Sequence, residues 1–226
     1  MSIYQKIITP DNILFMLNAA KMSLVVAICS LTFGTILGIL SAAAKMSRHK
    51  PLRWLSTAYV ELFRGSPMML QILFFYLAGP MIAKSITGTV FTPNPFVVGI
   101  IAISINSGAY TTELFRSAIQ SIDKGQWEAA KALGMSYKQM MRFIILPQSF
   151  KRILPPWISE FITLLKDSSL LSSIGAIELL HSAQVLGGRF YNYVIPLLMA
   201  TVMYLVMTLT ISYFANRLER KLAASD

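Results

Sequence analysis

The sequence predicts an all-α integral membrane protein with five transmembrane helices, its N-terminus outside and its C-terminus cytoplasmic. Three observations carry this. Of 226 residues, 55% are hydrophobic and only 13% charged, whereas a soluble domain carries about 25% charged residues. Three uncharged runs, 22–44, 85–112 and 190–216, each exceed the roughly 20 residues that cross a hydrocarbon core as a helix. Two further apolar stretches, about 54–83 and about 153–180, contain a few charges and complete the five.

The third observation is where the cations fall. The net charge is +10, and 14 of the 20 Lys and Arg lie in three segments on one side of the predicted spans. Lys45, Arg48, Lys50 and Arg53 follow span one. Arg116, Lys124, Lys131, Lys138, Arg142, Lys151 and Arg152 lie between spans three and four. Arg217, Arg220 and Lys221 follow span five. The other side has three, Lys6, Lys84 and Arg189. The positive-inside rule places the 14 in the cytoplasm. The basic excess is therefore topology, and a nucleic-acid partner is not expected.

In chain order, residues 1–20 read as a short, mildly amphipathic segment at the outer interface. Span one reads as a retained helix, because its apolar run exceeds the roughly 7–15 residues of a signal-peptide core. Cys29, the single cysteine, reads as a packing residue inside it, with no disulfide or cysteine metal site to form. In span two, Glu61 and Arg64 stand at i, i+3, close enough to pair, and Gly65-Ser66-Pro67 should kink or break the helix. Gln71 extends the same face. Ionisable groups in a span are costly and point to function; a structural ion pair and the lining of a solute route are both open. The segment 79–96 reads as turns from its Gly, Pro and Asn.

Span three holds Asn106-Ser107-Gly108, a weak helical stretch. It suits either a broken helix that presents free backbone groups to a solute or close helix packing through small residues. Asn106, Tyr110 and Glu113 share a face by spacing. The segment 117–154 reads as two short helices. Gly134 is placed to cap the first, 128–133. Ser136 and Gln139 form a capping box that starts the second, and Pro147 should stop it. Met140, Phe143 and Ile144 make an apolar face, with Lys138 and Arg142 on another. Such a helix lies on a membrane surface or docks on a partner.

Span four is the most informative. At about 1.5 Å per residue from position 153, Glu160 lies roughly 10 Å deep and Asp167 roughly 20 Å. They are i, i+7 and share a face with Thr163 and Leu164, while Lys166 points about a third of a turn away. A cavity offering both signs of charge suits a zwitterion; a salt bridge at an interface is the alternative for Lys166 and Asp167. His49 and His181 read as solvated, and Trp157, Tyr191 and Tyr193 as interfacial anchors. No nucleophile-and-base pattern or metal-ligand cluster is present, and no phosphate-cradling G-x-x-x-x-G-K-[S/T] loop. The chain is not expected to be an enzyme or to hold a cofactor; any ATP and Mg²⁺ belong on a partner.

The spacing Glu128-Ala129-Ala130, Gly134, Ile144, Leu146-Pro147 closely resembles the EAA loop of ABC importer permeases. ELFRGSPMMLQ (61–71), INSGAYTTELFRSAIQSIDKGQWEAAKALGMS (105–136) and EFITLLKDSSLLSSIG (160–175) resemble segments of the polar amino-acid uptake permeases, over roughly 13–220. The resemblance implies a type I importer permease fold forming one domain over 1–226. It also implies a bacterial cytoplasmic-membrane location and coupling through Glu128, Ala129, Ala130, Gly134, Met135 and Ser136 to two copies of a separate ABC ATPase. A second permease subunit and an external solute-binding protein complete the assembly. The substrate would be a polar amino acid, moved by alternating access past Asn106, Glu160, Lys166 and Asp167, with Arg64, Glu61, Gln71 and Glu113 along the route. Ser159 stands where that family often has Asn. Two rivals remain: a proton-coupled carrier using Glu61, Glu113, Glu160 and Asp167, and a membrane scaffold whose buried charges are interhelical glue.

Overall fold

A computed structural model describes residues 3–89 and 91–223. Val90, in the predicted turn segment, and the extreme ends of the domain lie outside the described residues. The described residues form helices α1 (Ile3–Ile7), α2 (Pro10–Lys45), α3 (Lys50–Arg64), α4 (Met68–Leu73), α5 (Gly79–Thr87) and α6 (Pro95–Gln120). They continue through α7 (Lys124–Ala132), α8 (Tyr137–Met140), α9 (Leu146–Asp167), α10 (Leu179–Phe190) and α11 (Val194–Ala223). π-helical segments at Phe74–Ala78 and Met141–Ile145 join α4 to α5 and α8 to α9, and a 3₁₀ segment, Ser168–Ile174, follows α9.

Among the described residues, four helical stretches are long and apolar enough to cross a membrane: Pro10–Lys45, Met68–Thr87, Pro95–Gln120 and Val194–Leu218. Counting the pair Tyr137–Ile174 and Leu179–Phe190, bent by 46°, as one span gives five. Large apolar side chains cover the outside, with Leu40, Ile86 and Leu198 all exposed, as lipid-facing surface requires.

Several boundaries differ from the sequence reading. The first span begins at Pro10, capped by Thr9, whose hydroxyl accepts from the Asn12 N–H; residues 10–21 are helix, not a separate interfacial segment. The turn segment shrinks to 88–94, because 79–87 is helix ending at a left-handed Gly88. Span three consequently starts at Pro95, ten residues later than predicted, with the Asn94 side chain capping its first N–H groups. Pro147 does not stop α8. The π-helical segment before it closes a wider ring, Leu146 N–H to Met141 C=O, so the helix passes the proline, which lacks a donor and clashes in a regular turn. The extra residue in that turn rotates Phe143 outward and carries Ile145 to full burial.

The bundle is built on α2 and α6, which pack most extensively. A Cβ on Gly34 would lie 2.9 Å from the Ser107 Cβ, and one on Gly38 would lie 2.6 Å from the Thr111 Cβ. Asn106-Ser107-Gly108 therefore sits inside a continuous helix at a close crossing, and the packing reading replaces the broken one. Val26, Ala27 and Leu31 of α2 join Ile72, Ala102, Ile103, Leu164, Leu165 and Leu171 in the central core. Trp157, expected at the interface, donates to Thr35 Oγ1 at 2.8 Å instead and ties α9 to α2.

The bend after α9 is pinned by Glu178, which is fully buried. Its carboxylate accepts from the N–H groups of Leu180 and His181 at 2.8 and 2.7 Å and from the Tyr204 hydroxyl at 2.9 Å. Ser23 Oγ accepts from the Leu179 N–H at 3.2 Å. This capping of α10 was not anticipated, although an acidic residue ahead of a new helix is its signal. His181 is half-buried, not solvated, and its Nδ1 has no hydrogen-bond partner among the described residues. His49 is exposed.

Candidate functional site

Two adjoining cavities lie between the broken second span, α6 and α9. The deeper, of about 130 Å³, is lined by Ser66, Met68, Asn106, Tyr110, Glu160, Thr163, Leu164 and Asp167. The wider, of about 480 Å³, is lined by Arg64, Tyr110, Glu113, Leu114, Ser117, Pro156, Ser159, Glu160 and Thr163. Tyr110, Glu160 and Thr163 line both and mark where the two meet.

The break in span two creates the room. Arg64 ends α3, Pro67 precedes α4 with an extended backbone (φ −63°, ψ 134°), and the freed carbonyls need donors. Gln71 supplies them, its Nε2 reaching the Phe63 C=O at 2.9 Å and the Ser66 C=O at 3.0 Å. Asn106 Nδ2 also donates to the Phe63 C=O, at 2.9 Å, and to Gln71 Oε1 at 3.0 Å. Gln71 is thus buried as a brace behind the cavity wall rather than on it. Asn106 does both jobs: its amide hydrogens hold the break, and the residue lines the deep cavity.

On α9, Glu160 and Asp167 face the same cavity with Thr163 and Leu164 between them, as their spacing predicts. Glu160 Oε1 accepts from Ser107 Oγ at 3.0 Å. Lys166 is exposed and lines neither cavity. Glu61 is likewise exposed and outside both, and it makes no ion pair with Arg64. The guanidinium lies instead over the Tyr110 ring, 5.0 Å from its centroid. Glu113, at the far side of the wide cavity, pairs with Lys45 at 2.6 Å and Arg116 at 2.7 Å. Arg116 was findable at i, i+3; Lys45, 68 positions away, needed the α2–α6 contact.

The loop 123–145 is a compact hairpin of helices. Asp123 caps α7 four residues earlier than expected, accepting from the Gly125 N–H at 2.7 Å. Gly134 adopts φ +72°, and the Gly134 and Met135 N–H groups bond back to the Lys131 and Ala130 carbonyls at 2.9 and 3.1 Å, closing a Schellman turn. The capping box of Ser136 and Gln139 is formed. Trp127 stacks on Tyr137 with centroids 6.4 Å apart. Ile145 of the hairpin buries against Ile119 of α6 and Ile122, which fastens the hairpin to the end of the third span. Ala130 is buried in the hairpin, while Glu128, Ala129, Leu133 and Gly134 are exposed at its tip. Among the described residues no group of His, Cys, Asp and Glu is placed to hold a metal.

The model of the family described as binding-protein-dependent transport system inner membrane component matches residues 34–224. An arginine transport system permease protein of Bacillus subtilis is 37% identical over 218 residues, 96% of this chain and 97% of that protein. A putative glutamine transport system permease protein of Rickettsia bellii is 36% identical over 214 residues, 95% of each chain. Among solved structures, a chain described as an amino acid ABC transporter with histidines superposes with a TM-score of 0.88 at 33% identity, covering 98% of this chain and 99% of that one. This chain belongs to the family of binding-protein-dependent transport system inner membrane components.

Proposed function

We propose that this chain is the permease subunit of an ATP-driven importer for a polar amino acid, and that the substrate class is the one carrying an extra positive group. The observation that carries this is the pair Glu160 and Asp167 on one face of α9, opening into a membrane-embedded cavity beside Asn106. Two carboxylates there offer a site to an α-ammonium and to a cationic side chain, each charge being stabilised by a partner in a low-dielectric setting. The named substrate of the Bacillus subtilis relative is of this class.

The same helix supplies the coupling route. From the capping box at Ser136 the chain runs as continuous helix through the π-helical segment into α9, which contains Pro155 and Pro156 ahead of Glu160, so a push on the hairpin would be carried along this helix to Glu160. Two copies of a separate ATPase would dock on the exposed tip at Glu128, Ala129 and Gly134. A second permease subunit and an external binding protein would complete an alternating-access cycle in the bacterial inner membrane. The N-terminus would face outward and the hairpin inward, as the cation distribution requires.

The test is ATP-dependent uptake of labelled L-arginine into proteoliposomes holding the permease with its ATPase and binding protein. Glu160→Gln should lower uptake at least about tenfold, the scale for removing one partner of a buried charge pair. Uptake that persists without ATP, or that ignores Glu160→Gln, would sink the reading.

A further inference from the structure

We propose that Arg64 is the reader of the substrate's α-carboxylate and that its contact with Tyr110 is a latch which the substrate itself releases. The inference rests on the cavity reading above. An amino acid brings an anion as well as a cation, and the residues lining the two cavities include Glu113, Glu160 and Asp167 but one cation, Arg64. Lys45 and Arg116 are engaged by Glu113, and Lys166 faces away.

The position of Arg64 suits the task. It is the last residue of α3, where the helix carbonyls favour a cation, and it stands immediately before the break that forms the cavity. Its guanidinium takes part in neither ion pair of the described residues. It rests on the Tyr110 ring and lines the wide cavity alone. A cation over an exposed ring is held weakly, whereas a guanidinium gripping a carboxylate through two parallel hydrogen bonds is held strongly and in fixed orientation. A carboxylate arriving with its ammonium against Glu160 therefore outcompetes the ring. Arg64 moves to the carboxylate, and Tyr110, freed of its cover, can turn away from the junction of the two cavities. The device responds to a zwitterion and not to a simple amine.

Equilibrium binding to the solubilised permease–ATPase complex tests this, with L-arginine and agmatine as probes, since agmatine keeps the guanidinium and amine and lacks the carboxylate. Wild type should bind arginine about 10- to 100-fold tighter than agmatine, the scale of a charge-assisted hydrogen bond. Arg64→Leu should erase that preference by weakening arginine alone, and Arg64→Lys should restore part of it. Tyr110→Leu should tighten arginine about 2- to 5-fold, because the resting contact no longer has to be broken. The proposal is overturned if Arg64→Leu keeps the preference or weakens both probes equally, or if Tyr110→Leu weakens arginine. Glu160→Gln separates the two levels, since it should weaken both probes. If wild type binds neither probe, the cavity reading fails and this inference falls with it.

Discussion

Two short stretches look alike as poor helix, Gly65-Ser66-Pro67 in the second span and Asn106-Ser107-Gly108 in the third, and they end differently. The first is a break; the second lies inside an unbroken helix of 26 residues. At the first, Pro67 removes a donor, and buried amides from Gln71 and Asn106 satisfy the freed carbonyls. At the second, small side chains are what allow α2 to approach, and separating the helices would waste that fit. The difference teaches that local propensity is a weak prior which the surrounding packing settles in either direction. The two stretches are also joined, since Asn106 braces the break from the helix that did not break.

The comparison can be broken at its strongest point first. Gly38→Leu puts a side chain where a Cβ alone would sit 2.6 Å from Thr111. It should destabilise the bundle by about 3 kcal/mol, read as a lower Tm in detergent. A neutral result would mean that α2–α6 contact does not hold the third span together. Next, Gln71→Ala leaves the Ser66 carbonyl without its donor and should cost about 1–3 kcal/mol. A double-mutant cycle with Asn106→Ala should return a coupling of about 0.5–3 kcal/mol, and additivity would show that the brace is not one unit.

Gly134→Ala is smaller still. Its Cβ meets nothing within 4 Å, but φ is +72°, so the change should cost about 1–2 kcal/mol through backbone strain alone; chemical denaturation of the purified chain checks it. Pro67→Ala should do least, within about 0.5 kcal/mol, because the amide brace persists without the proline. A structure of that variant with α3 and α4 fused would instead make the proline the cause of the break.

Much of the site was legible. The i, i+7 spacing placed Glu160 and Asp167 on one cavity face, and the capping residues placed the hairpin's turn at Gly134. Illegible were the contacts that join distant positions: Lys45 to Glu113, Arg64 to Tyr110, and Gln71 folded back onto the carbonyls of its own break. Sequence alone paired Arg64 with Glu61, because i, i+3 neighbours are all that a single helix offers. In the folded chain an aromatic ring from α6 lies closer to hand.

By itself the sequence determined that the chain is built of apolar helical spans and that a capped hairpin lies between the third and fourth of them, because these depend on uncharged length, caps and near-neighbour spacing. The tertiary structure alone decided which weak helix broke, how a proline was passed by a π-helical turn, and which charges met across the cavity. Those outcomes depend on what stands opposite, and the burial of a carbonyl or a guanidinium is settled by the nearest donor or ring in space, not along the chain.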